Sequence, residues 1–588
     1  MNKIRLDILK YLSHTPYESQ RELAKSLKYS LGNINQNLNN LMQTGYLTEH
    51  YLLTKQALQL IDIYSPKRAI ILAAGFGMRM VPINTEISKG LLEVRGEVLI
   101  ERIIRQLHEA EITEIYVVVG FMKEQYEYLI DKYQVELIVN DEYRWKNNLS
   151  SLVKAVNHID NSYIIPCDIW CQVNPFSKFE TYSWYMIGNQ LVHGSTVIVN
   201  KSMEILPRPA KKMGNEMVGI AYITEDVAGK LKENLLQLSN HEIYDSEFWE
   251  TALFDSRKMM VYANMVNSDE FIEINTYEQL REFDEDSNHL KTEAIEVIKQ
   301  SFGVQDDEIT NIRILKKGMT NRSFIFQCKG KEYIMRIPGE GTDQLINRQQ
   351  EAAIYQAIAN KHISDNVVYI NPNNGYKITE FMEDTRVCDS RRVEDVKQCI
   401  LKLREFHQLA IKVDHEFDLF AQIEFYEQLW QGNSSIFRDY KETKANIYQL
   451  KSFIDKQEVQ KVLTHIDAVP DNFLMLENNG EVSEIKLIDW EYAGMQDPHI
   501  DIAMFCIYAL YSREEIDRVI DFYFDYQVEK NVRLKIYCYI AIAGLLWSNW
   551  CEYKRMLGVE FSEYALRQYR YAKEYYQIVI QEREDKDA

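Results

Sequence analysis

Positive charge is scarce in this 588-residue sequence: 67 Lys and Arg stand against 88 Asp and Glu, a formal net charge of −21. That balance excludes broad binding of the whole molecule to nucleic acid or to an anionic membrane, while leaving room for small basic pockets around phosphates. Cysteine is also sparse and unpatterned. Cys167 and Cys171 lack a second pair, which argues against zinc. A long chain with eight scattered Cys suits a reducing cytoplasm. No apolar signal segment follows Met1-Asn2-Lys3-Ile4-Arg5. The longest apolar run, Ile536 to Trp547, contains two tyrosines and is too short to span a bilayer, so a buried helix is expected there. A cytoplasmic chain with no membrane partner is the expectation. With 46% hydrophobic residues and this length, the chain predicts about three globular domains.

The stretch Thr464-His465-Ile466-Asp467-Ala468-Val469-Pro470-Asp471-Asn472-Phe473, followed by Leu487-Ile488-Asp489-Trp490, carries the sharpest chemical signal. Phosphoryl transfer from a nucleotide needs a carboxylate to orient and deprotonate a hydroxyl, and hard oxygen ligands for the magnesium on the phosphates. Asp467 suits the first role; Asn472 and Asp489 suit the second. The spacing H-x-D-x-x-x-x-N matches a kinase catalytic loop, with Asp489 at the metal-binding position downstream. The alternative is a turn rich in Asp and Asn that only caps strands. Upstream, Ile312 to Phe326 reads as two strands around a turn holding Gly318, Thr320 and Asn321, placed to cover nucleotide phosphates with one Gly instead of three. Arg336, in Tyr333-Ile334-Met335-Arg336-Ile337, offers a phosphate-binding fork. Glu351 on the next helix is placed to pair with it, and Glu380 lies on the strand expected to accept adenine. Asp501, in Asp497-Pro498-His499-Ile500-Asp501, suits a carboxylate that supports the site from behind or faces a cation, or a helix N-cap.

Earlier in the chain, the buried strand Ala69-Ile70-Ile71-Leu72 feeds Ala73-Ala74-Gly75-Phe76-Gly77-Met78-Arg79, where small residues let backbone amides approach a phosphate chain. Strands and helices then alternate, which predicts an open α/β sheet. Trp145, Trp170, Tyr182, Trp184 and Tyr185 fall where an acceptor pocket is expected; aromatic faces suit a quaternary ammonium. Taken singly, each is better explained as core. The first 65 residues read as helices at Ile4–Leu12, Tyr17–Ala24 and Tyr29–Leu41, a hairpin after Gly45, and a last helix from Thr54. Asn35, Gln36, Asn39 and Asn40 would face outward on the third helix. The segment has a net charge of about plus two, which gives little phosphate affinity. Binding DNA and serving as a protein-interaction or dimerisation module are both open readings.

Three resemblances follow from these motifs. A-A-G-x-G-x-R-x-x-P with downstream Lys89 resembles the nucleotidyltransferases that make NDP-sugars and CDP-choline. It implies that Ala73, Ala74, Gly75, Gly77, Asn148 and Ser150 hold the NTP, that Lys89 and Arg79 neutralise the triphosphate, and that Asp168 with Glu273 or Asn275 holds magnesium. Ser88 replaces the usual Pro before the Lys, and Cys167 the usual Gly before Asp168. G-M-T-N-R-S-F, Arg336 and H-x-D-x-x-x-x-N resemble the bacterial choline kinases of the aminoglycoside phosphotransferase superfamily. Here Asp467 would be the base, Asn472 and Asp489 the metal ligands, and Trp547 and Trp550, with Tyr569 as a lesser candidate, the walls around a trimethylammonium group. Residues 1–65 resemble a MarR-type winged helix-turn-helix.

The implied architecture is a multidomain α/β chain. A winged helix (1–65) precedes a Rossmann-like open mixed sheet (67–286), and a bilobal protein-kinase-like phosphotransferase (290–588) follows. The implied activity is ATP-dependent phosphorylation of choline, then CTP-dependent cytidylyl transfer to phosphocholine, with magnesium at both sites. Its product would supply phosphocholine for cell-surface polymers. The rival readings are a sugar or ethanolamine kinase fused to an NDP-sugar-type pyrophosphorylase, and a choline-responsive DNA-binding regulator. A homodimer is compatible with each.

Overall fold

The computed structural model describes the chain apart from residues 209–212, 255–258, 316–320, 340–344, 458, 479–480, 558, 560 and 588 and the side chains of 321, 481 and 584–587. The described residues cluster into two compact units, 1–297 with 311–314, and 298–310 with 315–588. Among them, no helix is long and apolar enough to cross a membrane.

The first unit opens with four helices, α1 (Lys3–His14), α2 (Gln20–Ser26), α3 (Leu31–Gln43) and α4 (Lys55–Tyr64). Each starts on a side-chain cap. Asn2, Ser19, Ser30 and Thr54 accept the backbone N–H three residues on, which satisfies a donor with no intrahelical partner. Their apolar faces meet in a core of Ile8, Leu9, Leu23, Ile34, Leu38, Leu41, Leu47, Ala57 and Ile61. The bridge Leu47–Leu53 closes the short wing. The chain then enters the sheet without a free linker: Asn161 Nδ2 donates to Ile63 O at 2.9 Å, and Tyr222 Oη donates to Tyr64 O.

Seven strands build that sheet: β1 (Arg68–Ala73), β2 (Glu114–Val119), β3 (Glu136–Val139), β4 (Ser162–Pro166), β5 (Trp184–Val192), β6 (Gly214–Ile223) and β7 (Tyr262–Val266). Their spatial order is β7-β5-β6-β4-β1-β2-β3. β1 pairs parallel with β2 and β4, whereas β6 runs antiparallel to β4 and β5, giving a mixed sheet. β1 is buried on both faces. Ala69, Ile71 and Ala73 pack with Ile103, Ile104 and Leu107, while Ile70 and Leu72 pack with Leu152 and Leu231. This is why its sequence is an unbroken apolar run rather than an alternating one.

In the second unit, the antiparallel strands Asn321–Cys328, Lys331–Pro338, Lys377–Glu380 and Val367–Ile370 lie side by side in that order. The helix Arg348–Ile358 follows the second strand in sequence. The remainder is mainly helical around Lys530–Met556, a 27-residue helix. Ile536 to Leu546 are buried in it, as the apolar run predicts. This arrangement, a small sheet followed by a helical body, is the bilobal one expected. The short strands Val462–Thr464 and Phe473–Asn478 flank the Asp467 loop.

Candidate active sites

In the first unit the candidate site forms where β1 and β4 end. Gly77 has a φ of +59°, a conformation open to glycine, and a Cβ there would meet Lys89 Cβ at 3.3 Å. Gly75 has nothing within 4 Å of its missing Cβ, so its backbone is approachable. Lys89 Nζ forms an ion pair with Asp168 Oδ2 and donates to Asn275 Oδ1 at 2.7 Å. Arg79 Nη2 donates to the same Asn275 oxygen at 2.7 Å. Asp168 is fixed through its carbonyl, which accepts Ile274 N at 3.0 Å, while Glu273 pairs in register with Ile169. Four residues distant in sequence, Arg79, Lys89, Asp168 and Asn275, thus converge.

Both departures from the nucleotidyltransferase pattern have local explanations. Ser88 is buried and its Oγ lies 2.7 Å from Tyr126 Oη, so a hydrogen bond pins the turn where Pro would stiffen it. Cys167 fits because its neighbour is glycine: a Cβ on Gly90 would sit 3.1 Å from Cys167 Cβ. Burial pushes the Cys167 thiol far above its ordinary pKa, so it is a packing group rather than a nucleophile.

Several expectations for this unit are corrected. Ser150 is buried; its hydroxyl donates to Asn147 O at 2.9 Å and accepts from Asn140 Nδ2, so it braces the loop instead of facing a nucleotide. Asn148 spends its Oδ1 on Trp249 N at 2.9 Å. Trp184 is a core residue packed against Tyr163, and Tyr185 is buried with its Oη on Glu250 Oε1 at 2.9 Å. Trp170 is covered by the chain's own Arg102 guanidinium, 3.8 Å from its ring centroid. Tyr182 lies at the wrong end of the sheet. The register Arg68–Ser162, Ser162–Ile223, Tyr222–Trp184 puts it at the start of β1, opposite Ala73.

In the second unit the loop around Asp467 is held from beneath. The fully buried Asp501 accepts His465 N at 2.8 Å and Ile466 N at 2.7 Å, and its Oδ2 lies 2.9 Å from His407 Nε2. Of the roles expected of Asp501, these contacts match support of the site from behind, not facing a cation or capping its own helix. Ile488 N donates to Asn472 O at 2.9 Å, which ties the Asp489 segment to the loop. Asn472 Nδ2 donates to Asp467 Oδ2 at 3.0 Å. Burial, then the Asp489 carboxylate, pushes the Asp467 pKa up to about 7.

Across from this loop, Arg336 forms a two-armed pair with Glu351, Nη1–Oε1 at 2.6 Å and Nη2–Oε2 at 2.9 Å. Its Nη1 also lies 3.9 Å from both Asp489 and Glu491. Arg348 adds a second guanidinium, 3.0 Å from Glu351 and 3.5 Å from Glu491. A cavity of about 680 Å³ lies beside this network, lined in part by Arg348, Glu491 and Tyr492. Glu380 does not reach the centre: its carboxylate is held by Lys331 at 2.5 Å and Asn366 at 2.9 Å, so any nucleotide contact there falls to backbone. Thr320 and the side chain of Asn321 lie outside the described residues.

Trp547 and Trp550 are half-buried and stand edge to face, 5.6 Å between ring centroids. Tyr492 abuts Trp547 at 5.9 Å, Phe561 abuts Trp550 at 5.0 Å, and Tyr564 continues the wall to Tyr508. Tyr508 Oη donates to Asp471 of the Asp467 loop at 2.8 Å. Tyr569 is excluded from this wall. It is buried, stacked on Phe437 at 3.8 Å, with its hydroxyl on Asp439 and Thr443.

Residues 69–173 match the MobA-like NTP transferase domain, residues 312–543 the choline/ethanolamine kinase family, and residues 1–48 a winged helix-turn-helix DNA-binding domain. A choline-phosphate cytidylyltransferase of Haemophilus influenzae is 30% identical over 216 residues, 35% of this chain and 91% of that protein. The chain belongs to the NTP transferase and choline/ethanolamine kinase families. Protein LicA of Haemophilus influenzae is 25% identical over 273 residues, 42% of this chain and 95% of that protein. The solved choline kinase LicA of Streptococcus pneumoniae is 26% identical, covering 48% of this chain and 98% of that one at a TM-score of 0.42.

The donor sets of the transferase and kinase sites fit magnesium. Asp168 Oδ1 is buried and has no hydrogen-bond partner, although Oδ2 is paired. Around Asp467 the carboxylates crowd, and burial and Asp489 also raise the pKa of Glu491. Among the described residues no three His, Cys, Asp or Glu side chains form a metal cage. No motif pointed directly to Arg348, Glu491, Tyr492, Tyr508 or Tyr564. Only the E-Y after Asp489-Trp490 hinted at Glu491 and Tyr492.

Proposed function

We propose that the chain makes CDP-choline in two steps: the kinase unit phosphorylates choline with ATP, and the transferase unit joins phosphocholine to CTP with release of pyrophosphate. The observation that carries this reading is the aromatic wall around Trp547 and Trp550 bordering the loop of Asp467. A trimethylammonium group against tryptophan faces would place its hydroxyl toward a carboxylate. Asp467 orients that hydroxyl and accepts its proton, with Asn472 fixing the carboxylate's orientation. Arg336, held by Glu351, lends positive charge to the phosphates. Asn472 and Asp489 would hold magnesium, which would offset charge on the ATP phosphates.

In the transferase unit a phosphocholine oxygen attacks the α-phosphorus of CTP, and no covalent enzyme intermediate is required. Lys89 and Arg79 draw the two mutually repelling anions together, and the Gly75–Gly77 backbone gives the triphosphate close approach. Asp168 with Asn275 or Glu273 would hold magnesium there, supplying further charge neutralisation. Because one product is the next substrate, a shared polypeptide raises its local concentration. We assign the chain to the supply of CDP-choline for cell-surface polymers.

Product analysis with choline, ATP, CTP and magnesium tests this. Asp467→Ala should still convert added phosphocholine to CDP-choline, and Asp168→Ala should stall at phosphocholine. Phosphorylation of a sugar instead of choline, indifferent to Trp547→Ala and Trp550→Ala, would refute the reading.

A further inference from the structure

Tyr182 faces an ammonium group after all, but one belonging to the chain. Lys3, the first residue of α1, extends its Nζ to 5.0 Å from the Tyr182 ring centroid and 5.9 Å from those of Tyr29 and Tyr262. Asp7, one turn along α1 and nearly buried, closes the pocket, with Oδ2 2.8 Å from Lys3 Nζ. Tyr29 Oη donates to that oxygen at 2.5 Å and Tyr182 Oη donates to Asp7 Oδ1 at 2.7 Å, so the carboxylate and two rings are locked in place. Tyr182 and Tyr262 meet edge to face at 5.0 Å. A rigid cage of three tyrosines and one carboxylate therefore exists at the seam between the winged helix and the sheet edge.

We propose that this cage is a second quaternary-ammonium site, in which choline competes with the Lys3 side chain. A primary ammonium is compact and strongly hydrated, and Lys3 keeps about a fifth of its side chain exposed to water. A trimethylammonium group is larger and weakly hydrated, and aromatic faces with a nearby carboxylate favour such a cation. The occupant would replace a contact that fastens α1 to Tyr182 and Tyr262. The other anchors of α1, Tyr182 Oη to Asp7 Oδ1 and Lys10 Nζ to Glu180 Oε2 at 2.5 Å, would remain. The cage stands at the start of the sheet strands, and the Lys89 site stands at their ends. A ligand here acts on the winged helix and does not compete with CTP. The identity of the occupant as choline rests on the function proposed above; the cation chemistry of the cage does not.

Equilibrium dialysis of labelled choline against the full chain, without nucleotide and at fixed ionic strength, tests this. Trp547→Ala with Trp550→Ala should remove one class of sites and leave a second. Lys3→Met keeps the aliphatic stem and removes the resident cation, so it should tighten that second class about tenfold. Tyr182→Leu should abolish it, and unlabelled tetramethylammonium should displace it. If the kinase reading alone is wrong, choline is not phosphorylated, yet binding still responds to Lys3 and Tyr182. A single class, lost with the two tryptophans and not restored by Lys3→Met, would overturn the proposal.

Discussion

Replacing Asp467 by Asn changes one oxygen for nitrogen at the centre of the kinase unit. The shape is kept, and the loop's anchors to Asp501 are backbone contacts that do not involve the replaced atom. What is lost is the proton acceptor. A positioned general base contributes roughly 10²- to 10⁴-fold, so choline phosphorylation should fall by that factor, about 3–5 kcal/mol of barrier. Cytidylyl transfer to added phosphocholine should stay within twofold of the unmodified chain, since its groups lie in the other unit. The raised pKa of Asp467 adds a second test. As a base it must be ionised, so kcat/KM for choline should rise with pH through about 7 and flatten above it. Burial and Asp489 cause that shift, so excess magnesium on Asp489 should move the rising limb toward lower pH. Coupled assays of ADP release and pyrophosphate release read the two halves separately. An Asp467→Asn variant that keeps more than a tenth of the kinase rate, or that loses both activities together, would refute the reasoning.

Other consequences follow from single contacts. Lys89→Met removes the cation paired with Asp168, and pyrophosphate release should fall 10²- to 10³-fold with the kinase half unchanged. Trp547→Ala should raise KM for choline by about tenfold or more while leaving KM for ATP within twofold, as read in initial-rate assays. Glu250 is a buried carboxyl whose Oε2 has no hydrogen-bond partner, and burial pushes its pKa up to about 7. Because the native state holds this proton more tightly than the unfolded chain, stability should fall as pH rises from about 4.5 to 7 and level off above, by at most about 3 kcal/mol. In Glu250→Gln the first unit's urea midpoint should lose that pH dependence; parallel curves for the two proteins would refute it.

The motifs were legible because chemistry fixed their spacing. Asp467, Asn472 and Asp489 lie within one strand-loop-strand segment, and Gly75, Gly77 and Arg79 within one turn, so local sequence sufficed. The aromatic residues were not legible in the same way. Trp184 and Tyr182 stand two positions apart, yet one is core and the other, just ahead of β5, meets Asp7 and Lys3 of α1, a contact some 175 positions away in sequence. Trp547 could be read because helical spacing joined it to Trp550, whereas Tyr492, Tyr508 and Tyr564 reach the same wall from separate elements. Asp501 lies 34 positions beyond Asp467 and acts on backbone N–H groups, an interaction that leaves no residue pattern at the receiving end.

The two centres differ in charge, and that difference predicts how each meets magnesium. In the transferase unit Asp168 and Glu273 stand with Lys89 and Arg79, an even balance before substrate arrives. In the kinase unit Asp467, Asp489, Glu491 and Glu351 stand with Arg336 and Arg348, four carboxylates to two guanidiniums. Burial first, and Asp489 next, raise the carboxyl pKa values of Asp467 and Glu491 there, and the excess negative charge attracts a cation without help from a nucleotide. The balanced site gains affinity for magnesium only when CTP adds its own charge. Magnesium alone should therefore slow amide exchange over residues 464–489 and leave residues 73–90 unchanged until CTP is present. Asp489→Asn should remove the first effect. Equal protection of both segments by magnesium alone would show that local charge does not set the order of binding.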